Sequence, residues 1–228
     1  MKSWPRSGFW PPVWPTRSAT PLTAVKAALF TQQKKFPAGS AEQSDVKVVE
    51  REILRLERIV NDFLNFARPS EPELKVLAAD LLLLETKIFF SPQLGKNHIQ
   101  VRLEPGPPLR VKVDPEQMKQ VLINLVQNAA DSIGHDGTIT LRAYEARKLL
   151  PDGSKNSVVL EVSDTGRGVP PEAQKRLFDP FFTTKDTGTG LGLSIAARIV
   201  QKHGGVLQCQ TQVEQGATFD IVLPQVME

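Results

Sequence analysis

The sequence predicts an α+β protein: a helical hairpin, able to form a four-helix bundle as a dimer, followed by an α/β sandwich. Three observations predict it. From Glu42 to Ala67 the residues Val46, Val49, Ile53, Leu56, Val60, Phe63 and Ala67 alternate spacings of three and four, an a/d heptad seam that calls for a partner. After the hinge SEPE, strand-like alternations and helical periodicities mix along the chain. The stretch DTGRGVPPEAQKRLFDPFFTTKDTGTGLGLS, from Asp164 to Ser194, then sets two Gly-containing loops around an aromatic segment. Loops of this kind suggest backbone approaching a ligand, because glycine reaches positive φ and has no Cβ to clash.

Composition narrows the class. The chain has 228 residues and 40% apolar content, enough for one medium domain with an accessory element. Its 28 basic and 25 acidic residues leave only +3, so no nucleic-acid partner is expected despite a sequence pI near 9.0. A single cysteine, Cys209 in VLQCQTQV, excludes an internal disulfide framework and suggests a reducing compartment. The most apolar run, VLAADLLLLETKIFF, is broken by Asp80, Glu85 and Lys87, too short and too charged for a bilayer span. No signal peptide is visible, and the expected location is cytoplasmic.

Taken in order, residues 1–20 hold all three tryptophans and four prolines with neither helical nor strand period. From Pro21, suited to a first helical turn, Leu22, Val25, Leu29 and Phe36 fall near one helical face, and PAGS breaks that helix. The heptad helix follows and ends at Arg68-Pro69. The second domain opens with the strand-like LKVL, a helix through LLLLETKIFF, and the runs IQVRLE and LRVKV about the turn EPGPP. Asp114 and Pro115 suit the N-cap and first position of the next helix, PEQMKQVLINLVQNAADSI. On it Met118, Val121, Leu122, Leu125 and Ala129 share one face, bordered by Asn124, Asn128 and Asp131 within about 60° of each other. TITLRAYEA and SVVLEVSD read as strands joined by a polar loop with Pro151, Asp152 and Gly153; VLQCQT and ATFDIVL close the chain after a helix begun at Gly190. The whole reads as one mixed sheet against helices.

These residue types carry a consistent chemistry. A helix opening beside Gly188, Gly190 and Gly192 aims free N–H groups and its positive dipole end at an anion such as phosphate. An Asn stripe can supply carboxamide oxygen to magnesium, which takes hard oxygen ligands and reaches protein through only one or two of them. Asp164, after its strand, can accept a hydrogen bond from the exocyclic amine of adenine, while Gly166 and Gly168 let backbone approach the ring. Lys185 offers a mobile positive charge for terminal phosphates. Singly, each is more often a solvated surface residue; their order carries the weight.

In that order the residues resemble the ATP-binding catalytic domain of sensor histidine kinases, within the gyrase, Hsp90 and MutL ATPase superfamily. INLVQNAADSI is similar to the family's N box, DTGRG to its first G box, FDPFFTTK to its F box and GTGLGLS to its second G box. The resemblance covers about residues 20–228 and implies ATP and Mg2+ as cofactors, with Asn128 on magnesium and Asp164 on adenine. It implies a phosphate lid of Lys185, Thr189, Gly190, Leu191 and Gly192, and a wider ATP site through Asn124, Asp131, Gly166, Gly168, Val169, Phe181, Phe182, Thr183, Thr184, Gly188 and Leu193. Gyrase-like ATPases carry a water-activating Glu where this chain has Asn124; the change favours a kinase, with Asn124 and Lys185 as the catalytic pair.

RLERIVNDFLNFARP is similar to the second helix of the family's dimerisation and phosphotransfer hairpin. The first helix should carry the phosphoacceptor in a pattern such as HEIRNPLTA. Here PLTA is present at Pro21, but Thr16-Arg17-Ser18-Ala19-Thr20 precede it, so Thr16 stands where the acceptor His is expected. The only histidines are His98, His135 and His203, each best read as surface or structural. The genetic code offers an explanation. His-Glu-Ile-Arg-Asn coded as CAC GAG ATC CGC AAC and read one base late gives ACG AGA TCC GCA ACC, which is Thr-Arg-Ser-Ala-Thr. Residues 1–20 are therefore expected to be out of frame, residues 21–68 to be the hairpin lacking its acceptor, and residues 69–228 to be the ATP-binding domain. The resemblance implies a homodimer and a response regulator receiver domain as partners. Two other readings stay open: an anti-sigma-type Ser/Thr kinase, which shares the ATP site, and a non-catalytic nucleotide-binding dimerisation module.

Overall fold

A computed structural model of the chain describes residues 19–33, 36–37, 40–67, 70–185 and 188–226. Thr16, the rest of the anomalous amino-terminal run up to residue 18, and the helix stop at Arg68-Pro69 lie outside the described residues. The chain divides into two compact units between Asn61 and Asp62.

The first unit holds helix α1 (Ala19–Gln33) and most of α2 (Ala41–Ala67). Helix α2 runs unbroken for 27 residues, as the seven-residue seam predicts, and Lys26 Nζ of α1 reaches Glu57 Oε2 of α2 at 2.9 Å. Phe36, assigned to the face of the first helix, lies beyond its end at Gln33; the Pro-containing segment that follows denies the helix a further turn.

In the second unit a five-stranded sheet takes the order β2 (Ile99–Leu103), β4 (Gly137–Arg147), β5 (Asn156–Asp164), β7 (Ala217–Pro224), β6 (Val206–Thr211). Only the β2–β4 pair is parallel, so the sheet is mixed. The expectation of a single sheet needs correction. Strands β1 (Lys75–Ala78) and β3 (Arg110–Val113) form a separate antiparallel ribbon. The Pro-Gly-Pro-Pro turn after β2 sends the chain away from the large sheet: proline lacks the N–H a ladder needs.

Helices α3 (Ala79–Leu94), α4 (Pro115–Ile133) and α6 (Gly192–Lys202) pack on one face of the large sheet around a single core. Between them lies the one-turn α5 (Pro171–Gln174). Strand β5 shows how the pleat divides the faces: Val158, Leu160 and Val162 join that core, while Val159 packs with Leu150 and Val222 on the other side. On α4 the five predicted core residues Met118, Val121, Leu122, Leu125 and Ala129 are all buried. Cys209 is half-buried on β6, and burial pushes its thiol up to about 12, which makes it an inert strand residue. Among the described residues no helix is long and apolar enough to cross a membrane.

Asp114 caps α4 as its sequence position predicts. Its carboxylate accepts from Glu116 N at 3.0 Å and Gln117 N at 3.1 Å, and its other oxygen accepts from Glu73 N at 2.9 Å. Its own N–H donates to Nε2 of buried His203, whose Nδ1 faces Ile199 O at 2.8 Å. His203 thus ties the start of α4 to the end of α6, one ring nitrogen facing each. Partial burial pushes the Asp114 carboxyl up, but the three N–H donors outweigh it and hold it below the ordinary carboxylate value. Asp114→Ala is expected to cost about 1–2 kcal/mol, read as a lower denaturation midpoint at unchanged slope. For a depressed carboxyl the stabilisation is whole above the unfolded value and is lost as pH falls through the lower folded one. The gap between wild type and variant should therefore narrow only in acid; a gap independent of pH would refute the assignment.

Candidate nucleotide site

Three pieces of backbone meet beside the helix layer: the carboxamide edge of α4, the first glycine loop after β5, and the segment from Phe181 to Gly192. Because α4 buries its apolar face completely, its edge residues are fixed in place at the margin of the core. Asn124 Nδ2 donates to Gly192 O at 3.1 Å, joining α4 to the first residue of α6. One turn on, Asn128 Oδ1 accepts from Lys185 Nζ at 3.0 Å, and Asp131 Oδ2 accepts from the same ammonium at 2.8 Å. Gln127 Nε2 holds the other Asp131 oxygen at 3.0 Å.

Lys185, expected to reach toward phosphate, is instead seated on the carboxamide stripe. That seat tests whether a cation fits. Two hard oxygens, one neutral and one anionic, converge within 3.0 Å of a single positive centre, the donor chemistry magnesium takes when phosphates supply its other ligands.

Asp164 ends β5 and is only 6% exposed. Its Oδ1 accepts from Gly166 N at 2.8 Å, closing the DTG turn. Burial pushes the carboxyl above the ordinary value, against the opposing pull of the Gly166 and Ala217 N–H groups. The loop is held from outside by residues absent from the sequence-based site. Val169 N donates to Thr211 Oγ1 at 2.9 Å, Thr211 Oγ1 donates to Gly216 O at 2.9 Å, and Glu214 N donates to Arg167 O at 2.9 Å. The β6–β7 turn is thus the outer wall of the first glycine loop. Gly216 sits at φ +86°, and a Cβ there would collide with the Asp164 carbonyl oxygen. Gly216→Ala is expected to cost about 1–3 kcal/mol and to shift the Asp164 loop, detectable as lost nucleotide binding together with a lower melting temperature; unchanged values of both would count against the wall. The letters Glu-Gln-Gly before ATFDIVL signal a turn, but nothing in them says which loop the turn faces.

The aromatic and second glycine segments form a loop with a pinned base. Phe181 has φ +64° and is 61% exposed, a conformation costly for a bulky residue. Opposite it Gly190 has φ +68°, and a Cβ there would lie 2.7 Å from the Phe181 carbonyl oxygen. The two left-handed residues therefore bring the ends of the loop into backbone contact. Phe182 lies under the Arg176 guanidinium, 4.6 Å from the ring centre. Within the loop Lys185 N donates to Thr183 Oγ1 at 3.1 Å and Gly188 N to Lys185 O at 3.2 Å; Thr184 is exposed. Thr189 Oγ1 donates to Asp62 Oδ2 at 3.0 Å, and Leu191 N donates to Thr189 Oγ1 at 3.3 Å. Leu191 is buried and Leu193 half-buried against the core.

Helix α6 opens at Gly192, two residues later than Gly190 suggested, because Gly190 is left-handed and Leu191 forms the cap. The free N–H groups of its first turn still follow directly on the second glycine loop. Of the predicted residues, the structure brings Asn128 and Asp131 to Lys185, Asn124 to Gly192, and Phe181 to Gly190, while Asp164 bonds to Gly166 of its own loop and to Ala217 N–H of β7.

A sandwich of this topology, with a glycine-bracketed Asp and a helix opening on a glycine loop, defines a nucleotide-type ATPase domain. The chain belongs to the histidine kinase-, DNA gyrase B- and HSP90-like ATPase family, whose profile matches residues 113–227. Within that family the domain is of the histidine-kinase type. The sensor histidine kinase ZraS of Salmonella typhi is 32% identical over 205 residues, covering 90% of this chain and 43% of that protein. The chain therefore spans less than half the length of that relative. Full-length ShkA in complex with AMPPNP superposes with a TM-score of 0.70 at 26% identity, covering 95% of this chain and 47% of that one. Histidine kinase ThkA in complex with the response regulator TrrA superposes at 0.67 with 28% identity, covering 92% of this chain and 60% of that one.

Proposed function

We propose that the chain is the kinase core of a two-component sensor, in which the second unit binds Mg-ATP and the helical hairpin forms a homodimer. The observation that carries the reading is the convergence of Asn128, Asp131 and Lys185 one turn along α4 from the contact between Asn124 and the start of α6. Asp164 would take the adenine amine, the N–H groups after the second glycine loop the phosphates, and Asn128 the metal. Magnesium, when bound with the nucleotide, screens the phosphate charge. Lys185 would then turn to the terminal phosphate, so the protein's own contribution is positioning and charge stabilisation. ShkA's AMPPNP complex supports the nucleotide, and the TrrA complex of ThkA supports a response regulator as partner. On α2 the exposed seam residues Val49 and Leu56 support a second copy of the chain across the seam.

In an intact kinase of this type the γ-phosphoryl leaves ATP for a hairpin histidine, releasing ADP, and passes on to a regulator aspartate. This sequence has no histidine before His98. The purified chain is therefore expected to bind ATP without acquiring acid-labile, base-stable phosphate. Such a label would overturn the missing-acceptor reading. The same absence favours one alternative, a nucleotide-responsive module that pairs with a complete kinase; mixing with an active relative and finding only homodimers would remove it.

A further inference from the structure

We propose that Lys185 is a tethered cation that fills the metal seat when nucleotide is away, with Asp131 as its anchor. Asp131 thereby acts against nucleotide binding instead of contacting the nucleotide. The inference rests on the Mg-ATP reading above and concerns what the same site does before ATP arrives.

The geometry is that of an exchange. Lys185 Nζ holds two oxygens at once, Asn128 Oδ1 at 3.0 Å and Asp131 Oδ2 at 2.8 Å. Asn128 is the residue assigned to the metal, so the ammonium and a divalent cation compete for one carboxamide oxygen. Asp131 is doubly held, since Gln127 Nε2 fixes its Oδ1 at 3.0 Å from one turn before on the same helix. That bond aims Oδ2 at the lysine. The carboxylate also stands in the last turn of α4, where a negative charge meets the negative end of the helix dipole and is disfavoured. A residue placed against the helix's preference, yet fixed by one neighbour and paired with a cation, is best explained by the cation. Lys185 itself belongs to the loop pinned at Phe181 and Gly190. Seating its ammonium on α4 therefore holds Lys185 against the helix, and releasing it frees a positive charge. Binding of Mg-ATP would release it: Asn128 would then hold the metal, and Lys185 would find in the phosphates a more negative partner than a single carboxylate. Without metal, ATP must break the Lys185–Asp131 pair with no replacement cation on Asn128.

Both side chains are partly exposed, Lys185 by 29% and Asp131 by 42%. A pair so screened shifts an equilibrium only about two- to fivefold. The test uses the full chain and three titrations: ATP in EDTA, Mg-ATP, and Mn2+ alone followed by paramagnetic broadening of amide signals around Asn128 and Asp131. Asp131→Asn relieves an unfavourable helix-end charge and should fold. It is expected to tighten metal-free ATP by about two- to fivefold, whereas Mg-ATP should gain nothing, because the variant also loses the second oxygen of the cation seat. Lys185→Met is expected to let Mn2+ broaden those signals without nucleotide, at concentrations where wild type shows none, and the double variant with Asp131→Asn should lose that response. Weaker metal-free ATP binding by Asp131→Asn, or equal Mn2+ broadening in wild type and Lys185→Met, would overturn the proposal. Failure of the wild type to bind Mg-ATP at all would instead refute the reading on which it stands.

Discussion

Asp164→Asn is expected to weaken ATP binding by about 10- to 100-fold while leaving the fold intact. The reason lies in counting acceptors. A carboxylate at this position accepts from Gly166 N–H at 2.8 Å and is drawn on by Ala217 N–H, and its two oxygens would still leave a lone pair for the adenine amine. A carboxamide has one oxygen, so the amine or the Gly166 N–H meets a donor. The fold should survive because the site works against stability. Burial pushes the Asp164 carboxyl up, and a raised carboxyl makes folding less favourable at pH above its folded value, with the cost fading as pH falls. Removing the buried charge offsets the cost of setting an amide NH2 against a backbone donor, so the melting temperature near pH 7 is expected to stay close to that of the wild type. The same shift sets a pH dependence for the wild type. ATP affinity should fall on acidification at a higher pH than an ordinary aspartate would give, as the acceptor takes up its proton. Calorimetric titration of both proteins across pH checks this; equal affinities, or a wild-type profile flat down to pH 4, would rule out Asp164 as the adenine acceptor.

The largest expected effect is a gain of activity. Restoring the hairpin pattern with Thr16→His, Arg17→Glu, Ser18→Ile, Ala19→Arg and Thr20→Asn is expected to turn a chain without acid-labile phosphate into one that labels from γ-labelled ATP. The residues from Pro21 onward already continue the pattern as PLTA, and α1 runs to Gln33 beside α2, tied by Lys26 and Glu57. Positioning dominates phosphoryl transfer, so an acceptor on a correctly placed helix is the main missing part. Label that survives base and is lost in acid, and that is absent from the Thr16→His set when Asp164→Asn is added, would establish the transfer. If the restored chain binds ATP yet takes no label, the first helix is not the acceptor helix. Reading the DNA across codons 1–25 tests the frame independently: synonymous codons incompatible with a one-base shift would exclude it.

The elements legible in the sequence were those whose cause is local. Asp114-Pro115 announces a helix start through hydrogen-bonding capacity and a fixed φ, and the cap is present with three backbone donors. The periodicity of Met118, Val121, Leu122, Leu125 and Ala129 specifies which side of α4 is buried, and that in turn puts Asn124, Asn128 and Asp131 at its margin. The seven-residue seam fixes a long α2. Where the letters carry no local cause, they mislead. Gly190 looked like a helix start because it precedes an apolar period, yet its left-handed φ serves a contact with Phe181 nine residues earlier. Arg110 to Val113 alternate like any strand, and nothing in the alternation says that they leave the main sheet to pair with Lys75 to Ala78.

The sequence by itself determined the order and identity of the chemical groups: the carboxamide stripe, the glycine-bracketed Asp164, the aromatic segment with Lys185, the helix-opening glycines, and the absence of a hairpin histidine. Short-range sterics, hydrogen-bonding capacity and period are enough to place these on their elements. Tertiary structure alone decided which groups meet. It put Gly216 against Asp164, Thr211 under Val169, and Lys185 on Asn128 and Asp131. Those contacts join residues 40 to 60 positions apart, and their energies depend on burial and on what else competes for each oxygen, quantities that exist only once the chain has packed.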